Sequence, residues 1–408
     1  MGLAAEVLTP PVLAGSATAG GALTAGAYKY YVTAINALGE TSVSNEITVT
    51  TAAGNLTAGL TWGAVTGATG YKVYRTAAAG ASGTELLLAT LGVVLLYNDA
   101  AVGSPAGAFP TVNTASASGT YVAPTKYFPF VSESLQYQQA TIWRRPIRKS
   151  ADIIGAVAGN AHCEGDIEIE ALEDVVAHFM YAARCSIVKT GSSNYTYVAT
   201  PTPAAIPVRT LSLTVERNGI VFGYTGCVVG SFKFTINEGL LMFNVSIVGQ
   251  DEATQATPVP TFTTTVPFGA GQYAISIPTA SQVFDVDTFE WTCEDNAEPQ
   301  FRLKDTGRGA QYIKYGERAL GLNVERDFLN KTDYDAFKAL TSQSITFVAT
   351  KGVNNSITLL TAVSIKDTYE VGLSGQGDLV RASIAYQMPI DGSGNSYTIT
   401  VKTQENVT

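Results

Sequence analysis

The sequence predicts a mainly β chain, made of an N-terminal β-sandwich and two tandem β-sandwich or barrel domains, each with a flanking helix. Three observations lead there. The composition is rich in Thr, Val, Ala, Gly and Tyr, the residues of strands and their turns. Hydrophobic residues reach 46% against 14% charged, the opposite of a disordered chain. Polar and apolar residues alternate strictly in several segments, such as GDIEIE at 165–170, as half-exposed strands require. A length of 408 residues leaves room for two or three such domains.

Taken in order, residues 1–115 form a nearly neutral block. It holds the acids Glu6, Glu40, Glu46, Glu85 and Asp99 against Lys29, Lys72 and Arg75, so most of the net charge of −9 lies beyond it. Within it, 27–36 reads as a strand, Gly39 and its neighbours as a turn, and 44–51 as the partner strand. Trp62 then leads through glycines to GYKVYR at 70–75, where Tyr71, Val73 and Arg75 share one face. The YxYxVTAxNxxGETxxSN segment and the Trp62 strand resemble fibronectin type III and bacterial Ig-like modules. Their order is reversed here, so the module is either permuted or a variant sandwich. The resemblance implies a surface decoration domain at 1–115 without catalytic groups. A charge-free stretch of Gly, Ser, Pro, Ala and Thr follows, with the linker itself at 116–125. Because that linker reads as flexible, deletion of 1–115 is expected to spare whatever the rest assembles into.

After the linker, one pattern occurs twice. In 126–255, the strand 165–170 runs into a helix whose apolar positions 172, 175, 176, 179 and 180 have helical spacing; strands at 210–217, 224–236 and 240–250 follow. In 256–408, the strand 320–326 precedes a short helix at 332–340, N-capped by Thr332, and strands at 345–351, 357–369 and 379–389. The offset of about 140 residues predicts a duplicated domain.

The ordered set PFVSESL at 129–135, GDIEIE plus helix, LSLTVERNG, YTGCVVGSFKFTINEG and a closing strand resembles siphovirus major tail tube proteins, over 127–252 and more weakly over the following half. The resemblance implies a structural subunit with no cofactor and no membrane, whose long hairpins line a ring. Ring or lumen hairpin residues would be Tyr224, Lys233, Asn237, Asn244, Lys366, Asp367 and Glu370. Rings would stack head to tail. With two tube domains per chain, three chains supply six barrel segments, the alternative being a hexamer. The implied partners are further copies of the chain, a tape measure protein and DNA in the lumen without sequence-specific binding, and tail terminator and distal tail proteins at the ends. The implied location is the virion tail, assembled in the host cytoplasm. A surface or fibre-type adhesin binding cell-wall carbohydrate through the N-terminal sandwich is the competing reading.

Other chemistry finds little support. Cys163, Cys185, Cys227 and Cys293 have no paired spacing, so buried thiols are expected rather than disulfides. His162 and Cys163, with His178 and Cys185, match no zinc pattern, and His178 reads as a helix-surface residue. The acids Asp285, Asp287, Glu290, Glu294, Asp295 and Glu298 read as a solvated or lumen-facing surface rather than a glycosidase pair. The basic run Arg144, Arg145, Arg148 and Lys149 lacks the background of a nucleic-acid patch and reads as an inter-subunit contact. Gly307-Arg308-Gly309 lacks the GK[ST] of a phosphate loop. No leader peptide or membrane span is evident.

Overall fold

A computed structural model describes residues 1–37, 39–101, 103–115, 119–145, 152–205, 209–255, 259–278, 281–303, 307–329, 331–372 and 380–407. Strands account for 55% of the chain and helices for 4%, so the fold is mainly β as expected. The chain divides into two compact units, one of Met1–Ala5 with Gly119–Val407, the other of Glu6–Ser118. The first five residues therefore do not belong to the block that composition had grouped as 1–115. They form β1 (Gly2–Ala5), which pairs with strands far along the chain and buries Leu3 and Ala4 completely.

The smaller unit contains β2 (Leu13–Thr18), β3 (Gly26–Ile35), β4 (Ile47–Thr51), β5 (Thr57–Trp62), β6 (Gly70–Arg75), β7 (Leu86–Leu91) and β8 (Leu96–Asp99). They form a three-stranded sheet β2-β5-β8 and a four-stranded sheet β4-β3-β6-β7. Leu13, Tyr28, Tyr30, Val32, Leu60, Trp62 and Val73 pack between them. The alternation seen in the sequence sorts these side chains inward. Two carboxylates hold partners inside the unit: buried Asp99 accepts from Tyr30 and Arg75, and half-buried Glu40 accepts from Thr33, Lys72 and Tyr74.

The larger unit continues with β9 (Lys126–Tyr127), β10 (Ser132–Glu133), β11 (Gln136–Arg144), β12 (Gly155–Glu170), α1 (Glu173–Tyr181), β13 (Cys185–Thr190), β14 (Tyr195–Pro201), β15 (Leu211–Arg217), β16 (Ile220–Asn237), β17 (Leu240–Gly249) and β18 (Asp251–Gln255). Then come β19 (Tyr273–Ser276), β20 (Gln282–Val283), β21 (Val286–Glu294), β22 (Ala297–Gln300), β23 (Tyr312–Tyr315), β24 (Ala319–Asp327), α2 (Thr332–Lys338), β25 (Gln343–Thr350), β26 (Ser356–Gly372), β27 (Arg381–Gln387) and β28 (Thr398–Thr403).

A wide antiparallel sheet runs β11-β12-β17-β16-β21-β24-β27-β26. Its first four strands and its last four follow the same pairing order. Both long strands, β16 and β26, extend beyond it into a second sheet: β9-β1-β15-β16-β18 for the first, β20-β19-β25-β26-β28 for the second. The hairpin β13–β14 adds to β28. Shared strands make the network continuous, yet the wide sheet does not close on itself within the chain. Among the described residues β11 pairs only with β12, and Ile365–Gly372 of β26 only with β27. One chain has two bare edges to spare, and closing them needs further strands.

The core lies under the wide sheet. Phe232, Phe234, Phe243 and Trp291 form its centre, with ring centroids 4.8 Å apart for Phe234–Phe243 and 5.5 Å for Phe232–Trp291. Helix α1 joins it through Phe179, 6.0 Å from Phe243, and every residue of α1 is buried. His178 is therefore not on a helix surface; it faces Glu405 at 3.5 Å because the helix is covered on all sides. No residue of α2 is buried. Its N-cap position is Lys331 rather than Thr332, which is already helical.

Candidate assembly surfaces

The outer face of the wide sheet follows from strand alternation. On β12, Ile167 and Ile169 point inward, so Glu164, Asp166, Glu168 and Glu170 take the other face. The same rule puts Ser231, Lys233 and Thr235 of β16, Asn244 and Ser246 of β17, and Glu290, Thr292 and Glu294 of β21 on that face. It continues over Asn323 and Glu325 of β24 and Glu370 of β26. Acids dominate, with Lys233 and Arg381 opposing them. Lys233 reaches Glu290 at 3.2 Å, and Asn323 donates to the same carboxylate at 3.3 Å. A shallow groove of about 310 Å³ runs across the face between these groups.

The residues singled out for the hairpins divide between the two faces. Lys233 and Asn244 are half-exposed on the acidic face, and Asn237, Asp367 and Glu370 are exposed. Tyr224 is not at any opening: it is fully buried, donates to the Leu135 carbonyl at 3.1 Å and accepts from Arg217 at 3.0 Å. Burial pushes its phenol up to about 12. Lys366 is likewise buried; its ammonium bonds the Asp333 carboxylate at 3.1 Å, and burial pulls its pKa down. Both sit on strand positions whose side chains point to the covered face.

Arg144 ends β11 opposite Gly155, and it and Arg145 are exposed. Arg148 and Lys149 lie outside the described residues. Next to them Ile142 and Trp143 leave 56% and 58% of their surface open, so the β11–β12 arm is apolar as well as basic.

The acidic cluster of the sequence separates into ion pairs. Asp285 binds Arg326 through both oxygens at 2.8 and 3.1 Å, and Asp287 pairs with Arg381. Asp295 is buried between Arg318 at 2.7 Å and Arg184 at 3.5 Å. Glu290 and Glu294 both line the shallow groove, from the same strand β21. The four cysteines are buried free thiols. Among the described residues, no three His, Cys, Asp or Glu side chains converge as a metal site would, and no helix is long and apolar enough to cross a membrane.

Sequence reasoning missed two edges that are unpaired among the described residues, β11 and Ile365–Gly372 of β26. Edge status depends on pairing partners, which alternation does not reveal. A family profile described as phage tail tube protein matches residues 110–388. No curated protein matches the chain.

Proposed function

The chain belongs to the phage tail tube protein family, a family of structural proteins without enzymatic activity, and we propose that it is the major tail tube subunit of a siphovirus. In this reading copies of the chain close into rings, the rings stack, and the stack is the conduit for DNA ejection. The observation that carries it is the wide sheet, which combines two edges unpaired among the described residues with one acidic face. Unpaired edges call for strands from other copies. An acidic lumen repels phosphates and releases no counterions, so DNA slides instead of binding.

Two tandem tube domains, 126–255 and 256–408, account for the repeated pairing order. They are further supported by matching irregularities: β16 bulges between Val229 and Ser231 opposite β17, and β26 between Lys366 and Thr368 opposite β27. Three chains then make the ring. Residues 6–118, with a three-stranded and a four-stranded sheet, suit an Ig-like or fibronectin type III-like decoration. Arg144 and Arg145, on an exposed arm, suit a contact to the next ring. Tape measure protein and DNA would occupy the lumen, with tail terminator and distal tail proteins at the ends, the whole assembling in the host cytoplasm.

Electron microscopy of the purified full chain tests this. Rings or tubes with a central hole and threefold symmetry are expected. Compact monomers, or elongated fibres that bind glycans, would overturn the tube; six chains per ring would overturn the trimer.

A further inference from the structure

One junction inside the chain serves as a template for the junction between chains. The two halves of the wide sheet meet where β16 pairs with β21: Ser231 opposite Glu294, Phe232 opposite Cys293, Lys233 opposite Thr292 and Phe234 opposite Trp291. The strand at the far end of the second half, β26, is the counterpart of β16. The strand at the open end of the first half, β10 with β11, is the counterpart of β21.

The registers can be matched residue by residue. Aligning the two bulges makes Thr368 equivalent to Ser231 and Glu370 equivalent to Lys233. On the partner strands the same alignment makes Ile384 equivalent to Val245. Val245 pairs with Ile167 and Ile384 with Val324, so those two correspond as well. Ile167 in turn lies opposite Glu133, and Val324 opposite Phe289; Glu164 lies opposite Gln136, and Gly321 opposite Thr292. Both steps agree in making β10–β11 the equivalent of β21, with Gln136 in the place of Thr292.

We infer that Ile365–Gly372 of β26 adds antiparallel to β10–β11 of a second copy, with Glu370 opposite Gln136 and Thr368 opposite Gln138 of the partner subunit. This rests on the ring reading above and fixes which strands meet and in what register. Three independent features fit. Thr368, Glu370, Val371 and Gln136 are exposed in the single chain. Both edges are unpaired among the described residues. Finally, α1 is buried throughout and packs against β28 of the second half as well as β13, whereas its counterpart α2 packs on β26 and has no buried residue. The first-half counterpart of β28 is β18, since each pairs with the inner segment of its long strand. The same junction that joins β26 to β11 therefore brings β18 of the second copy over α2, with exposed Leu340 beside it.

Cysteine pairing reads the register directly. Opposed residues in an antiparallel pair have Cα atoms about 4.5–5.5 Å apart, within disulfide range, whereas diagonal neighbours are about 7–8 Å apart and outside it. The full chain carrying Glu370→Cys and Gln136→Cys, assembled and then oxidised, should convert from monomer to a covalent ladder ending at the ring size. The chain with Glu370→Cys and Gln138→Cys should stay at the monomer background. Hydrogen exchange on the unmodified chain supplies a second reading: 134–138 and 368–372 should gain protection on assembly. Cross-linking of the offset pair, or neither cross-link nor protection in preparations that show rings, overturns the register and leaves the tube intact. Absence of rings from the unmodified chain overturns the ring reading itself.

Discussion

Excising residues 6–118 and rejoining Ala5 to Gly119 with a short flexible turn should leave ring assembly intact, whereas removing 1–118 should abolish it. The difference is five residues, Met1 and the four of β1. β1 pairs with β15 along Gly2–Ala5 and with β9 at Gly2 and Leu3, so it is an interior strand of its sheet. Met1 and Leu3 are 8% and 0% exposed. Burying two such side chains contributes about 3–6 kcal/mol, a large part of the roughly 5–15 kcal/mol that holds a typical domain together. Losing β1 also bares the edge of β15, an invitation to aggregation. The second half has a short connection at the corresponding place: β19 pairs with β20 as β1 pairs with β9, with Ser276 opposite Gln282 and five residues of chain between them. The assay is thermal unfolding by circular dichroism together with electron microscopy of both deletions. Equal stability and equal ring yield for the two would refute the role given to β1. Loss of rings from the 6–118 excision with normal folding would show that the smaller unit takes part in the wall.

Asp295→Ala should destabilise the larger unit by about 3–5 kcal/mol, because it leaves the half-buried guanidiniums of Arg318 and Arg184 without their buried counter-charge; a loss of unfolding free energy smaller than a third of that in denaturant melts would refute it. Stability should also fall below about pH 4 through Asp174. Burial pushes that carboxyl up, but hydrogen bonds from Lys126, Thr263 and Thr265 outweigh it and hold the pKa below the ordinary value. A depressed folded pKa stabilises above the unfolded pKa and is lost as pH drops through the folded one. Asp174→Asn should therefore be less stable at pH 7 and show a flatter acid limb in urea melts; an unchanged limb would count against it.

Most strands were legible because one face of each meets water and the other does not. GDIEIE at 165–170 shows that alternation plainly, and it is the C-terminal end of β12. Helix α1 was legible from its apolar spacing, although not that its polar face would be covered too, which is why His178 was misplaced. Alternation also cannot say which of two faces is covered, and Tyr224 and Lys366 were assigned to the wrong one for that reason. β1 was invisible. The four residues GLAA carry no pattern, and their partners at 211–214 lie more than 200 residues further along the chain. The bulges at Val229 and Lys366 were equally silent, since no glycine or proline signature distinguishes both from an unbroken strand.

The two long strands have a mechanical consequence. β16 is gripped near its start by β15 and β18 and near its end by β17 and β21, and β26 is gripped in the same fashion by β25, β28 and β27. A load applied to the acidic face therefore travels along covalent backbone into the sheet behind it, without passing through side-chain contacts. Neither layer can peel away while the other stays seated, except by hinging at the bulges. The wall and its backing should yield as one piece, with Val229–Ser231 and Lys366–Thr368 as the places where any bending is taken up.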